Sequence, residues 1–214
     1  KRIVKGVLRQ FAPVVKVEVT SLSPNQLLKG RSALITGGTS GIGFQIARSF
    51  LYAGARVIIT GRNQKRVDEA CQKLLQECED WKDNIHGIEM DVTKINQLEQ
   101  SFQDMIKSVG GIDILVNNAG ILEEGLKPID RFSDEDLDRI IETNEKGTMR
   151  CMRAASQKMQ AGASIVNVAS VAGVNGGGGA AYVSTKSAII GITKHTALPV
   201  SYTHLRAHET SQDL

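Results

Sequence analysis

Aromatic residues make up only 4% of this 214-residue chain. No aromatic stacking face and no arginine-rich run accompany them, and the formal charge of +3 at pH 7 is mild. Together these absences argue against a nucleic-acid-binding surface. Cysteine is scarce as well: Cys71, Cys78 and Cys151 are unpaired by spacing and lie in helix-like stretches. Three such thiols build no disulfide framework and fit a reducing cytoplasm, so a cytoplasmic location is expected. Of the four histidines, His86 and His195 have no ligand-like neighbours, and His204 and His208 fall in the last residues of the chain, so no metal site is expected. No run of about 18 apolar residues is present, so no transmembrane span is predicted. No internal repeat is visible, and the one low-complexity stretch is residues 176–179, all glycine. The length suits one domain large enough for a real core.

From Leu28 onward short apolar runs alternate with amphipathic stretches. Strands are predicted over residues 32–36, 56–60, 86–90, 112–117 and 164–169. Helices are predicted over 41–53, 63–78, 95–109, 133–160 with a bend near Gly147, and 181–198. Strand and helix alternating in this way give a parallel sheet covered on both faces. Right-handed crossovers then make the fold class α/β, a doubly wound, Rossmann-type sheet.

Two clusters of residues carry chemistry. Gly37, Gly41 and Gly43 sit between the first strand and its helix, where glycine lets the backbone approach a pyrophosphate and lets helix pack on strand. The helix N-terminus offers free N–H groups and the positive end of a dipole, and Thr39 and Ser40 can add hydroxyl donors, with Ile42 inside the same turn. Far along the chain, Tyr182 and Lys186 are four apart on one predicted helix and so share a face. A free tyrosine ionises near pH ~10, so acid–base work at neutral pH needs an adjacent cation that favours the phenolate. Ser170, at the end of the fifth strand, is placed to hydrogen-bond a carbonyl oxygen and to stabilise charge developing there. A phosphate cradle, a proton donor, a cation and a carbonyl polariser in one chain point to hydride transfer between a nicotinamide and a carbonyl or alcohol.

The turn Thr36-Gly37-x-x-x-Gly41-x-Gly43 resembles that of the short-chain dehydrogenase/reductase family, T-G-x-x-x-G-x-G, rather than G-x-G-x-x-G. Asn117-Asn118-Ala119-Gly120 after the fourth strand matches the family's N-N-A-G, and Asp91-Val92 follows the third strand, where the family holds the adenine ring. The resemblance runs from Leu28 to Leu198. It implies that Ser170, Tyr182 and Lys186 form a catalytic triad, and that Asn144 orders a water and Lys186 for proton relay. It implies further that Gly37, Thr39, Ser40, Gly41, Ile42, Gly43, Asp91, Val92, Asn118, Ala119, Gly120, Tyr182 and Lys186 contact the cofactor, with Lys186 on the nicotinamide ribose.

NAD-binding relatives end the second strand with an acid that bonds the ribose 2′-hydroxyl. That position here is Gly61, followed by Arg62, whose guanidinium can bind a 2′-phosphate. NADP is therefore favoured and NAD is the alternative, although Ser40 stands where many NADP-using relatives carry a basic residue. By analogy with bacterial 3-oxoacyl-(acyl-carrier-protein) reductases, the expected reaction is reduction of a 3-oxo group on a small-molecule or acyl-carrier-bound substrate. A sugar or polyol dehydrogenase, a non-catalytic nucleotide-binding member and an inert fragment are the rival readings. Family members commonly pair the long helices around Asn144 and after Tyr182, so the parent is expected to be a homotetramer or homodimer.

Both ends of the chain stand apart from the domain at 28–198. In residues 1–27, Ile3, Val4, Val7, Leu8 and Phe11 follow helical spacing with Lys1, Arg2, Lys5 and Arg9 on other faces, and Val15, Val17 and Val19 alternate like a strand. Packing on the domain or on a partner subunit is the preferred reading of this extension, and a membrane surface the alternative. Residues 199–214 resemble a translated sequencing adapter, Val200 to Thr210 matching one of its reading frames, so this tail is expected to be non-native. The native sequence of the chain is then expected to stop at Leu198, short of the family's later strands and substrate lid. An uncovered sheet edge beside the fifth strand, poor expression and little turnover of the 214-residue chain are the corresponding expectations.

Overall fold

The structure is a computed structural model that describes residues 26–77, 79–126 and 129–197 and the backbone of 206–208. The helix and strand expected within residues 1–19 lie outside the described residues, as does Cys78. Six strands are described: β1 (Ser32–Ile35), β2 (Arg56–Gly61), β3 (Ile85–Glu89), β4 (Ile114–Asn117), β5 (Ser164–Asn167) and β6 (Arg206–His208). The principal helices are α1 (Gly41–Tyr52), α2 (Gln64–Glu77), α3 (Ile95–Val109), α4 (Asp134–Ile140), α5 (Gly147–Ser156), α6 (Ala172–Asn175) and α7 (Ala180–Ala197).

All strands pair in parallel in the order β3-β2-β1-β4-β5-β6, the doubly wound arrangement expected. The order reverses between β1 and β4, which opens a crevice beyond the carboxyl ends of those strands. The inner strands read as continuous apolar runs because both faces are covered. Side chains alternate between the faces. Leu34, Ile58, Leu115 and Ile165 point to one face and pack with Leu98, Phe102 and Met105 of α3 and with Cys151 and Ala155 of α5. Ile35, Val57, Ile59 and Val116 point to the other and pack with Ala47 and Leu51 of α1 and Val67 and Leu74 of α2. Trp81, buried in a short 3-10 turn after α2, closes the second layer edge-on to Tyr52, ring centres 4.6 Å apart.

Three expectations need correction. The single helix over 133–160 is broken: α4 passes into a π-helical turn, Ile141–Lys146, and resumes as α5. The bend was expected near Gly147, whose own backbone is helical just after that turn; a Cβ there would lie 2.7 Å from Cγ2 of Val92, so only glycine lets this helix seat on the loop after β3. No helix was expected between the fifth strand and residue 181, yet Ala172–Asn175 form one helical turn ended by Gly176 at φ +74°. The edge of β5 is not bare, because Arg206, Ala207 and His208 pair with Ser164, Ile165 and Val166. An unpaired parallel edge accepts any extended backbone, so this pairing is a property of β5 and says nothing about the origin of residues 199–214.

Candidate active site

At the crevice between β1 and β4 the glycine turn and the loop after β4 lock together. Thr36 Oγ1 accepts the N–H groups of Asn118 and Ala119, each at 3.0 Å, and Asn118 Nδ2 donates to the carbonyls of Thr36 and Gly37 at 3.0 Å. A Cβ on Gly37 would lie 2.9 Å from Cα of Ala119, and one on Gly43 2.4 Å from Nδ2 of Asn118. Gly41 has φ +56° and nothing within 4 Å of where its Cβ would be, which leaves its backbone exposed.

The end of α1 that faces this opening is unusually free. Ser40 precedes the helix in extended conformation and makes no side-chain cap, and the first turn carries no acid. By contrast α4 has its Ser133 cap satisfied by the N–H of Asp136 and three acids in its first turn. Unpaired N–H groups at the positive end of a dipole suit an anion, so α1 rather than α4 fits the pyrophosphate of a dinucleotide.

The cleft that starts here encloses about 1030 Å³. Gly37, Thr39, Ser40, Ile42, Asn118, Ala119 and Gly120 line it, while Gly41, exposed, and Gly43, buried, do not. Arg62 and Arg66 line the end beside β2, both exposed, and among the described residues neither has an acidic partner. Arg66 was not foreseen, and its spacing of four from Arg62 was the available signal. A Cβ at Gly61 would lie 2.7 Å from Cγ2 of Thr39, so this backbone has no room for an acidic side chain there. Met90 and Val92 give the cleft an apolar wall. Asp91 between them does not line it. Its Oδ1 accepts the N–H of Thr93 at 2.9 Å and the hydroxyl at 2.8 Å, which locks its own loop.

Tyr182 and Lys186 line the other end of the cleft with Thr143, Val168 and Ala169. Lys186 is 6% exposed, its Nζ donates to the Val168 carbonyl at 2.7 Å, and that nitrogen lies 5.6 Å from the centre of the Tyr182 ring. Burial pulls the Lys186 pKa below the usual lysine value. Ser170 lies beyond β5 and does not line the cleft. Its Oγ accepts the N–H of Ala172 at 3.2 Å, which leaves its proton free to donate.

Asn144 is 1% exposed and stands behind the cleft, in the π-helical turn. Its Oδ1 accepts the N–H of Ile121 at 2.8 Å, and its Nδ2 donates to the Ile121 carbonyl at 2.9 Å and to Thr185 Oγ1 at 3.3 Å. The widened turn thus braces the loop after β4 against α7, a use of π-helical geometry common at functional sites. A Cβ on Gly120 would stand 3.4 Å from Asn144 Oδ1 and 3.6 Å from Lys186 Nζ, so the two polar groups converge on one small space.

The thiols stand apart from this chemistry. Burial pushes Cys71 up to about 11 and Cys151 up to about 12, so both stay protonated at neutral pH. Among the described residues no group of three or more His, Cys, Asp or Glu could hold a metal, and no helix is long and apolar enough to cross a membrane.

The family model for short chain dehydrogenases matches residues 31–211, past the point at Leu198 where the resemblance was expected to end. The chain is 34% identical over 189 residues to 3beta-hydroxysteroid dehydrogenase 2 of Eggerthella lenta, covering 86% of this chain and 70% of that protein. It is 36% identical over 173 residues to the 3-oxoacyl-[acyl-carrier-protein] reductase FabG of Aquifex aeolicus, covering 79% and 68%. Among solved structures, a short chain dehydrogenase from Mycobacterium smegmatis superposes with a TM-score of 0.79 at 28% identity, covering 89% of this chain and 80% of that one.

Proposed function

The chain belongs to the short chain dehydrogenase family, and from its site we propose that it is an NADPH-dependent reductase that converts a 3-oxo group to a 3-hydroxy group, most plainly on a 3-oxoacyl thioester. The observation that carries this reading is the placement of Tyr182 and Lys186 together on the wall of the dinucleotide-sized cleft that begins at the glycine turn.

The residues present fit a dinucleotide. Gly41 leaves the backbone open, the amino end of α1 is uncapped, and residue 61 has no space for an acid. Gly37, Thr39, Ser40, Ile42 and Gly43 would hold the pyrophosphate half, Arg62 and Arg66 the 2′-phosphate, and Val92 with Asn118, Ala119 and Gly120 the adenosine and ribose side. The reduced nicotinamide, when bound, supplies the hydride. Tyr182 donates its hydroxyl proton to the carbonyl oxygen, and the Lys186 ammonium stabilises the phenolate that results. Ser170 has its lone pair engaged by Ala172 N–H and gives its proton to the same oxygen as a hydrogen bond. Asn144 holds the loop at Ile121, keeping Gly120 and Lys186 in register.

A second reading, oxidation or reduction at a ring carbon of a hydroxysteroid, is favoured by the 34% identity to the Eggerthella lenta enzyme. The exposed apolar side chain of Leu122 on the cleft wall, that of Val171 just before α6 and that of Val174 within it suit either an acyl chain or a steroid nucleus. We place the protein in the cytoplasm as a homodimer or homotetramer, paired through α5 and α7. A substrate panel separates the readings. NADPH consumption with a 3-oxoacyl thioester should exceed that with a 3-ketosteroid or a ketose by about tenfold or more, the discrimination of a few well-placed contacts. A preference for the steroid would make the second reading the right one, and a preference for the sugar would sink both.

A further inference from the structure

Among the described residues Glu123 is the one buried acid, and neither the cofactor cradle nor the proton chemistry uses it. It lies in the loop after β4 and is 4% exposed. Its Oε2 accepts the backbone N–H of Tyr182 at 2.9 Å. Its Oε1 is buried and has no hydrogen-bond partner. The carboxylate occupies the space where another residue would keep its side chain: a Cβ on Gly179 would stand 1.3 Å from Oε1 and 1.9 Å from Cδ of Glu123.

We propose that Glu123 is the positioning residue of the catalytic helix: its carboxylate, seated over Gly179, fixes the amino end of α7 and thereby where the Tyr182 hydroxyl points. The role assigned to Tyr182 is taken from the reaction proposed above. The first turn of α7 contains no acid of its own, so Glu123 brings from another loop the negative charge that favours a helix N-terminus. The bond it accepts is charge-assisted and directional. It falls on Tyr182 itself, so the same residue carries the anchored amide and the reacting phenol. Lys186, one turn further on, is anchored separately to Val168. With both anchors in place the phenol and the ammonium keep a fixed relation; with the first released, the opening turn of α7 frays like any uncapped helix end.

The glycine run gains a division of labour from this contact. Gly176 has φ +74° with open space around it, and Gly178 has φ +137° with ordinary contacts at 3.8 Å. Gly179 alone is required for want of a side chain, because the protein's own carboxylate fills that volume. A buried oxygen without a partner is a cost to the fold. It falls on a group whose other oxygen holds the residue that must be aimed.

The test is a double-mutant cycle in the full chain: Glu123→Ala, Gly179→Ala and the pair, with Glu123→Gln and Glu123→Asp beside them. Three quantities are measured: hydrogen exchange of the Tyr182 amide, kcat with a carbonyl substrate, and Kd for NADPH. Glu123→Ala should speed Tyr182 exchange and lower kcat by about 10²-fold, the scale of an ångström-sized misplacement, with NADPH Kd unchanged. Glu123→Gln keeps an oxygen within reach and should retain most of kcat, whereas Glu123→Asp keeps the charge but shortens the reach and should behave like alanine. Gly179→Ala should reproduce Glu123→Ala, and adding it to Glu123→Ala should cost little more, since the methyl enters vacated space. Glutamine and aspartate still decide the matter if alanine fails to fold. A kcat within twofold of wild type in Glu123→Ala, independent multiplication of the two alanine effects, or aspartate outperforming glutamine would overturn the proposal. Exchange does not depend on turnover: a wild-type chain inert toward carbonyls sinks the reaction proposed above, while unchanged Tyr182 exchange in Glu123→Ala sinks this one.

Discussion

Lys186 reaches back from α7 to donate to the carbonyl of Val168 at 2.7 Å, and this bond helps tie α7 to the segment leaving β5. The ammonium is thereby held 5.6 Å from the centre of the Tyr182 ring in a buried place. Burial disfavours its charged form, so its folded-state pKa is lower than its unfolded one. The fold bears that cost to keep a cation beside the phenol.

Stability should show the cost directly. Below the folded pKa, Lys186 is charged in both states and its desolvation is fully felt. As pH rises from the folded pKa toward the unfolded value of 10.5, the folded chain loses the proton first and the cost is relieved. Denaturant melts at pH 7, 9 and 10 should therefore show wild type gaining on Lys186→Met as pH rises, while the variant loses about 10²-fold or more in turnover. A stability difference that stays flat over this range would contradict the assignment.

The proposed preference for NADPH rests on Arg62 and Arg66, which line one end of the cleft. Each charged hydrogen bond to a phosphate is worth about 1.5–3 kcal/mol, so Arg62→Ala should weaken NADPH about tenfold or more and leave NADH little changed. Arg66→Ala should do the same to a smaller degree. Titration of both nucleotides by fluorescence checks this, and equal losses would undo the preference. Gly61→Asp alone should not produce an NADH enzyme, because its Cβ would meet Thr39 at 2.7 Å.

The glycines of the turn should differ in what they tolerate. Gly43→Ala puts a methyl 2.5 Å from the Gly37 carbonyl and 2.4 Å from Asn118 Nδ2, atoms that hold the two loops together. It should cost about 1–3 kcal/mol by overpacking and abolish dinucleotide binding. Gly41→Ala meets no atom and bears only the strain of its φ of +56°, about 1–2 kcal/mol. Thermal melts with and without NADPH rank the two, and a milder Gly43 variant would disprove the locked turn.

Acid should loosen the π-helical turn. Glu142 is hydrogen-bonded by Arg150 and Lys146, which hold its pKa below the ordinary 4.5, and Arg150 also reaches the Thr93 carbonyl. The stabilisation is present above pH 4.5 and is lost as pH falls through the lower folded value. Glu142→Gln should thus be less stable than wild type at pH 7 and converge with it as pH falls through the lowered folded value. An undiminished gap at low pH would show that the ion pair contributes nothing.

Much of this molecule was legible in its sequence because the informative residues are near one another in the chain. Alternating apolar runs marked five strands to within about two residues of their ends, and the glycine turn and the Tyr182–Lys186 spacing each belong to one local element. What escaped is tertiary. The π-helical turn begins at Ile141, ahead of the bend foreseen at Gly147, because Asn144 must meet both backbone groups of Ile121. The Glu123 carboxylate reaches a backbone amide 59 residues away, and no periodicity announces such a contact. The glycines at 176–179 read in the sequence as a low-complexity stretch, and part of the space they leave belongs to Glu123.

If the Tyr182 hydroxyl delivers the proton to the substrate oxygen, pre-steady-state NADPH oxidation by Tyr182→Phe, with NADPH Kd measured alongside, should show unaltered nucleotide binding and a fall in the chemical step of about 10²–10⁴-fold, the usual worth of a general acid. A variant that reduces the same 3-oxo substrate as fast as wild type would contradict it.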